Sequence, residues 1–185
     1  MKVNKALLVV DVQKAFYNEK WGDRNNHDAE EKMATLIDHW RKKGLEVIYI
    51  QHQSNDPESV FYTKQEGVEI KESVKPIGEE QIFTKTVNSG FIGTNLESYL
   101  REREINEVVI VGLTTPHCVS TTARMSGNLG FHTYVVSDAT AAYGIYDQDG
   151  NYVEPEKVHT VSLATIHEEF ALVMTTDQLI KKLAL

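Results

Sequence analysis

Residues 107–118 read EVVIVGLTTPHC, and this stretch decides the fold. After one acidic residue comes an unbroken apolar run, which is typical of a strand covered on both faces. Gly112 interrupts the run, and Thr115 and Pro116 are residue types that favour the N-cap and the first position of a helix. The stretch therefore predicts a buried strand that leads through a turn into a helix, with Cys118 in the first helical turn.

The same alternation of strand and helix extends in both directions from this stretch. Short apolar runs predict further strands at 6–10, 46–50, 81–84, 133–136 and 171–174. Helical patterns cover 28–43, 94–103, 115–130 and 155–170, with a short helix after Thr176. Strands that alternate with helices imply a parallel sheet with right-handed crossovers. The sequence thus predicts one α/β domain over residues 1–185, with helices on both faces of the sheet.

Composition narrows the class of partner. The chain has 185 residues and a formal charge of −8, which argues against nucleic acid or an anionic membrane as the main partner. No apolar run approaches the roughly 20 residues that span a bilayer. The apolar run at 6–10 is too short for a signal peptide and is followed by Asp11. We therefore expect a cytoplasmic protein that acts on a small molecule.

Polar side chains follow four of the predicted strands at the point where each strand ends. Asp11 follows the first run, His52 the second, Lys85 the third and Cys118 the fourth. Ligands of open parallel sheets bind beyond the carboxyl ends of the strands. The sequence therefore predicts that an acid, a base and a thiol meet at one edge of the sheet.

Cys118 is the only cysteine of the chain, so no internal disulfide is possible. A lone cysteine is either a small buried hydrophobe or a reactive thiol. Unpaired N–H groups at a helix start and a nearby Lys85 would lower the pKa of the thiol. The same N–H groups could receive an oxyanion after the thiolate attacks a carbonyl. This setting predicts that Cys118 is a nucleophile.

Asp11 and Lys85 could each have an ordinary structural role instead of a catalytic one. Asp11 could simply cap a turn after its strand, and Lys85 could be a solvated surface lysine. In the functional interpretation, Asp11 is the base that takes the proton of the thiol and returns it to a leaving group. Lys85 keeps Asp11 ionised and places positive charge near the thiolate. Their shared position at the end of the predicted sheet favours the functional interpretation.

Three separated segments resemble the isochorismatase-like cysteine hydrolases, a group that includes nicotinamidases and N-carbamoylsarcosine amidases. These segments are Asp11 after the first strand, Lys85 with 88–91 (NSGF), and 112–124 (GLTTPHCVSTTAR). The resemblance extends over nearly the whole chain, from Ala6 to about Leu179. Three segments in the right order are far more specific than any one of them.

The resemblance implies several structural features. The sheet would be Rossmann-like, with six parallel strands in the order 3-2-1-4-5-6. The Leu113–Thr114 peptide would be cis, and the N–H groups of Thr114 and Cys118 would form an oxyanion hole. The protein would be a homodimer or homotetramer, with the irregular segment 52–79 facing a neighbouring subunit.

The resemblance also bears on metals. Nicotinamidases bind a metal through an Asp-x-His arrangement after strand two, but residues 51–54 read QHQS in this chain. His159 and His167 lie on one predicted helix, too far apart to chelate from adjacent turns. The sequence therefore predicts no metal and no cofactor, with His52 as a substrate contact or a structural hydrogen-bonding residue.

The predicted activity is hydrolysis of a C–N bond in a small amide, lactam or ureide through a thioester on Cys118. Two alternatives stay open: vinyl-ether hydrolysis that releases pyruvate, as in true isochorismatases, and a redox-responsive thiol on a binding module. Phe16 and Phe91 could equally belong to the core. The candidate pocket residues are Gln13, Phe16, His52, Asn88, Phe91 and His117.

Overall fold

The computed structural model describes residues 4–184. The strands in this range are β1 Asn4–Val10, β2 Glu46–His52, β3 Gln81–Lys85, β4 Ile105–Leu113, β5 His132–Ala141, β6 Ile145–Tyr146, β7 Tyr152–Val153 and β8 Leu172–Met174. The α-helices are α1 Ala29–Lys42, α2 Leu96–Glu102, α3 Ser120–Asn128, α4 Pro155–Ala164 and α5 Thr176–Leu183.

Six of the strands form one parallel sheet in the order β3-β2-β1-β4-β5-β8. The strand order expected from the sequence is confirmed, because β8 is the sixth strand of this sheet. The two short strands β6 and β7 pair only with each other, as an antiparallel hairpin. The order reverses direction at β1 and β4, so the central crevice opens beyond the carboxyl ends of these two strands.

Two apolar cores lie on opposite faces of the sheet. Side chains alternate between the faces along a strand, so Leu7 and Val9 pack with Trp40 of α1, while Leu8 packs with Leu100 of α2 on the other face. All five side chains are at most 1% exposed. Full burial of such a side chain contributes about 1.5–3 kcal/mol, and the two cores hold the sheet between helices. The predicted three-layer architecture is confirmed.

Two helices differ from their predicted extent. The predicted helix 115–130 is a π-helical turn at Thr115–Val119 followed by α3, which begins at Ser120. The fourth helix ends at Ala164 instead of near residue 170, and Glu168, in the turn between this helix and β8, has a φ of 65°. None of the helices within residues 4–184 combines the length and apolar character needed to cross a bilayer.

The irregular segment between β2 and β3 packs on its own chain. The backbone N–H of Lys14 donates to the carbonyl of Glu69 at 2.8 Å, and that of Lys71 donates to Val12 at 2.9 Å. These bonds attach the segment to the loop that follows β1. Phe61, in the same segment, is thereby carried to the carboxyl edge of the sheet. A contact of this segment with a second subunit stays a prediction.

Candidate active site

The carboxyl ends of the central strands meet at one edge of the sheet. Val10 of β1 lies beside Gly112 of β4, and His52 of β2 lies beside Lys85 of β3. Gly112 has a φ of 128°, and a Cβ at this position would collide with the backbone of Val10. A glycine is therefore required where β4 leaves the sheet and turns toward Cys118.

This edge brings Asp11, Lys85 and Cys118 into contact. Lys85 Nζ donates to Asp11 Oδ2 at 2.7 Å and lies 3.5 Å from Cys118 Sγ. The side chains of Lys85 and Asp11 are 0% and 1% exposed. Asp11 has a φ of 51°, a left-handed conformation that is uncommon outside glycine and is found at functional sites. The peptide between Leu113 and Thr114, just before the nucleophile turn, is cis.

The two carboxylate oxygens of Asp11 differ in their hydrogen bonding. Among the described residues, none forms a hydrogen bond with its buried Oδ1. A carboxylate oxygen of Asp11 and the Cys118 Sγ lie within 4.8 Å of each other. A buried acceptor without a partner calls for an explanation, and the thiol of Cys118 is the titratable group next to it.

The electrostatics of the thiol differ from the sequence-based expectation. Burial and then the negative charge of Asp11 raise the pKa of Cys118 to about 12, against a smaller opposing effect of Lys85. Burial likewise raises the pKa of Asp11, although the charge of Lys85 opposes it. The predicted lowering of the thiol pKa is therefore wrong for the resting site. Because burial and the charge of Asp11 outweigh the effect of Lys85, the thiol is protonated near pH 7.

The raised pKa of the Cys118 thiol predicts how the rate of its alkylation by iodoacetamide depends on pH. The wild-type rate should rise only above the ordinary thiol pKa of about 8.5. Asp11→Asn removes the charge that opposes ionisation and leaves Lys85 to stabilise the thiolate, so alkylation at pH 8 should be about tenfold faster. Intact-mass analysis from pH 6 to 10 measures both rates.

Glu30→Gln is the matched control for this measurement. Glu30 is a partly buried carboxylate that accepts from Lys71 Nζ at 2.8 Å and does not line the cavity beside Cys118. Its replacement should leave the alkylation profile unchanged. A wild-type midpoint at or below pH 8, or slower alkylation of the Asp11→Asn protein, would contradict the assigned electrostatics.

A cavity of about 210 Å³ opens above Cys118. It is lined by Asp11, Phe16, Trp21, His52, Phe61, Asn88, Thr114, His117 and Cys118. Four of the six residues that the sequence suggested for the pocket are therefore on its wall: Phe16, His52, Asn88 and His117. Cys118 Sγ lies 3.8 Å from Asn88 Oδ1, so a bound carbonyl compound would meet an amide side chain beside the thiol.

Gln13 and Phe91 were expected in the pocket, and the structure places both elsewhere. The Gln13 side chain donates to the carbonyls of His52 and Val68 at 2.8 and 2.9 Å and accepts from the His52 N–H at 2.8 Å. It therefore joins the end of β2 to the following segment. Phe91 packs against Phe131 in the core, with ring centroids 6.0 Å apart.

His52 completes the surroundings of the Lys85 ammonium. Its Nδ1 lies 3.2 Å from Lys85 Nζ, and burial, with the charge of Lys85, lowers its pKa to about 4. His52 is therefore neutral near pH 7. Ligand atoms of Asp11, His52 and Cys118 lie within 4.8 Å of one another, a set that could hold a metal. The fit is poor because the ammonium of Lys85 already contacts all three groups.

Three residues at this site have no clear signal in the sequence. Trp21 and Phe61 line the cavity from irregular segments without periodicity, and only the length of the second segment pointed to a role. His159 of α4 places Nδ1 2.8 Å from the Oγ1 of Thr115 and braces the nucleophile turn from behind. From the sequence, His159 was considered only as a metal ligand.

Comparison with known proteins decides the family. The family model described as "Isochorismatase domain" matches residues 5–178. The isochorismatase family protein YrdC of Bacillus subtilis is 62% identical over 97% of this chain and 96% of its own. The chain belongs to the isochorismatase family. A solved family hydrolase from Chromobacterium violaceum has a TM-score of 0.95 at 35% identity, covering 98% of this chain and 94% of its own.

Other members of the isochorismatase family have names that specify the chemistry. A cysteine hydrolase from Pseudomonas syringae has a TM-score of 0.88 at 28% identity, covering 98% of this chain and 92% of its own. Nicotinamidase 3 of Arabidopsis thaliana is 26% identical over 96% of this chain and 88% of its own. The ureidoacrylate amidohydrolase of Rhizobium rhizogenes is 24% identical over 93% of this chain and 80% of its own. The chain is thus an isochorismatase-family hydrolase.

Proposed function

We propose that this hydrolase cleaves the C–N bond of a small amide, lactam or ureide through a thioester on Cys118. The observation that carries the proposal is the contact of Lys85 Nζ with both Asp11, at 2.7 Å, and the thiol, at 3.5 Å, beside a cavity that Asp11 and Cys118 line. Family members named for amide hydrolysis support the same chemistry.

In the first half of the cycle, Asp11 takes the proton of Cys118 as the thiolate attacks the carbonyl carbon. The negative charge that develops on the carbonyl oxygen is stabilised by the backbone N–H groups of Thr114 and Cys118, two residues that line the cavity. Protonated Asp11 then gives its proton to the nitrogen, the C–N bond breaks and the amine leaves.

In the second half, Asp11 takes a proton from a water molecule that attacks the thioester. The C–S bond breaks, the carboxylic acid is released and the thiol regains its proton. Lys85 stabilises whichever of its two neighbours, Asp11 or Cys118, bears the negative charge. Burial raises the pKa of Asp11 toward that of the leaving group, which is what a group that both accepts and donates a proton requires.

A panel of small amides, lactams and ureides tests this function. Purified protein should release ammonia or amine from at least one class, and rapid acid quenching should show Cys118 heavier by the mass of the acyl group. Pyruvate release from a vinyl ether, without amine release from any amide, would instead favour the isochorismatase reaction. A mixed disulfide on Cys118 without any hydrolysis would favour the redox-responsive thiol.

A further inference from the structure

A large part of the wall of the cavity beside Cys118 is aromatic. The ring centroid of Phe16 lies 5.0 Å from that of Trp21 and 5.4 Å from that of Phe61, and the Trp21–Phe61 separation is 6.3 Å. The His52 ring meets Phe61 edge-on at 5.0 Å. All four rings line the cavity, so this aromatic wall (residues 16, 21, 52 and 61) forms one continuous surface.

Charge is scarce around the same cavity. Among the lining residues that the structure describes, Asp11 is the only aspartate, glutamate, lysine or arginine. His52 and His117 are neutral because burial lowers the pKa of each imidazole. The positive charge of Lys85 is paired with Asp11, and its side chain is 0% exposed.

An anionic substrate group would therefore be poorly accommodated. Transfer of a carboxylate from water to a site without a cationic partner carries a large desolvation penalty. Lys20 lies over the outside of the Trp21 ring, with Nζ 4.9 Å from the centroid, but it is exposed and does not line the cavity. Exposed ion pairs contribute little, so Lys20 would not offset this penalty.

The volume of the cavity also limits the size of the substrate. Its volume of about 210 Å³ is below that of sites that take drug-sized ligands. The polar groups Asn88, Thr114 and His117 lie on the wall with the thiol, so the carboxamide would face them while the rest of the acyl group meets the aromatic wall.

Resting on the proposed function, we propose that the substrate is a compact amide whose acyl group is uncharged and apolar, best a single flat ring. It binds against Phe16, Trp21 and Phe61, and amides that carry a carboxylate are rejected. Flat rings gain offset-stacked or edge-to-face contacts with aromatic side chains in addition to their buried area.

Protection of Cys118 from iodoacetamide tests this substrate class without requiring turnover. Benzamide and succinamide should slow alkylation, with benzamide binding tighter. Succinamate has the same number of non-hydrogen atoms as succinamide but bears one negative charge, and it should bind at least about 30-fold more weakly. Ammonia release from the same three compounds should follow the same order.

Substitutions in the aromatic wall test whether these rings are responsible for the binding of benzamide. Trp21→Leu and Phe61→Leu should each weaken protection by benzamide about tenfold, measured for each variant as the ratio of its alkylation rates without and with benzamide. Phe83→Leu is the matched control, because Phe83 packs against Tyr99 at 5.4 Å and does not line the cavity. It should leave protection unchanged.

The outcomes separate the two proposals. If succinamate protects Cys118 as well as succinamide does, or is hydrolysed as fast, the proposed substrate class is overturned. If ammonia is released from succinamate alone, the substrate class is overturned but the proposed amide hydrolysis stands. Protection by benzamide and succinamide without ammonia from any amide supports the pocket preference and overturns the proposed function. Equal loss of protection in the Phe83→Leu control would overturn the role of the aromatic wall.

Discussion

Cys118→Ala is expected to lower amide hydrolysis by at least about 10⁴-fold, because no other group in the site can form the thioester. Cys118→Ser should be nearly as inactive, since a hydroxyl gives up its proton to Asp11 far less readily than a thiol. The measurement is amine release under saturating substrate, together with quenched mass analysis, which should show no acylated protein in the alanine variant.

Ser120→Ala is the control for this loss. Ser120 lies two residues further along the chain, at the start of α3, and does not line the cavity. Its replacement removes a similarly small side-chain group and should leave amine release within about twofold, as expected for a site outside the catalytic contacts. Retention of amide hydrolysis by a folded Cys118→Ala protein would eliminate the thioester mechanism. Retention of pyruvate release alone would identify the vinyl-ether reaction.

Asp11→Asn should have the second-largest effect, lowering kcat about 10³-fold, because asparagine cannot carry the proton from the thiol to the leaving nitrogen. It should also lower the free energy of unfolding by about 3 kcal/mol, since Lys85 is left buried beside a neutral partner. Steady-state kinetics and chemical denaturation measure the two effects. If Asp11→Asn hydrolyses the substrate more slowly although its Cys118 is alkylated faster, the loss of activity comes from proton transfer and not from ionisation of the thiol.

Glu30→Gln distinguishes catalysis from stability. Glu30 holds two buried or partly buried cations, with Lys71 Nζ at 2.8 Å and Arg24 Nη2 at 2.7 Å. Its loss should destabilise the protein to a similar degree as Asp11→Asn while leaving kcat unchanged. A similar loss of kcat in both variants would mean that Asp11 supports the fold and not the reaction.

The local pattern of the chain predicts the sheet and the edge of the site. Apolar runs without alternation mark strands covered on both faces. Five of the six predicted runs lie within a strand of the sheet, and the sixth, 171–174, begins one residue before β8. Parallel strands bring their carboxyl ends to one edge, so the strand pattern alone places Asp11, Lys85 and Cys118 at the same edge of the sheet. The resemblance to a family supplied the order of the strands.

Other features depended on distant parts of the chain. Phe61 reaches the cavity only because its segment is hydrogen-bonded to the loop after β1, and no local pattern predicts such a contact. Gln13 and Phe91 are close in sequence to residues of the site, yet neither lines the cavity. The Gln13 side chain forms hydrogen bonds with the backbone, and the Phe91 side chain packs in the core. Proximity along the chain therefore did not determine which side chains face the cavity.

For Cys118, some properties follow from the sequence and others only from the tertiary structure. The sequence by itself determined that a lone thiol follows the fourth strand and shares the edge of a parallel sheet with an acid and a lysine. The tertiary structure decided the pKa of that thiol, because Lys85 is paired with Asp11 at 2.7 Å and the sulfur is largely removed from water. It also decided which aromatic side chains line the cavity beside the thiol. Residue types and spacing are local, whereas burial and charge pairing arise only when distant segments meet.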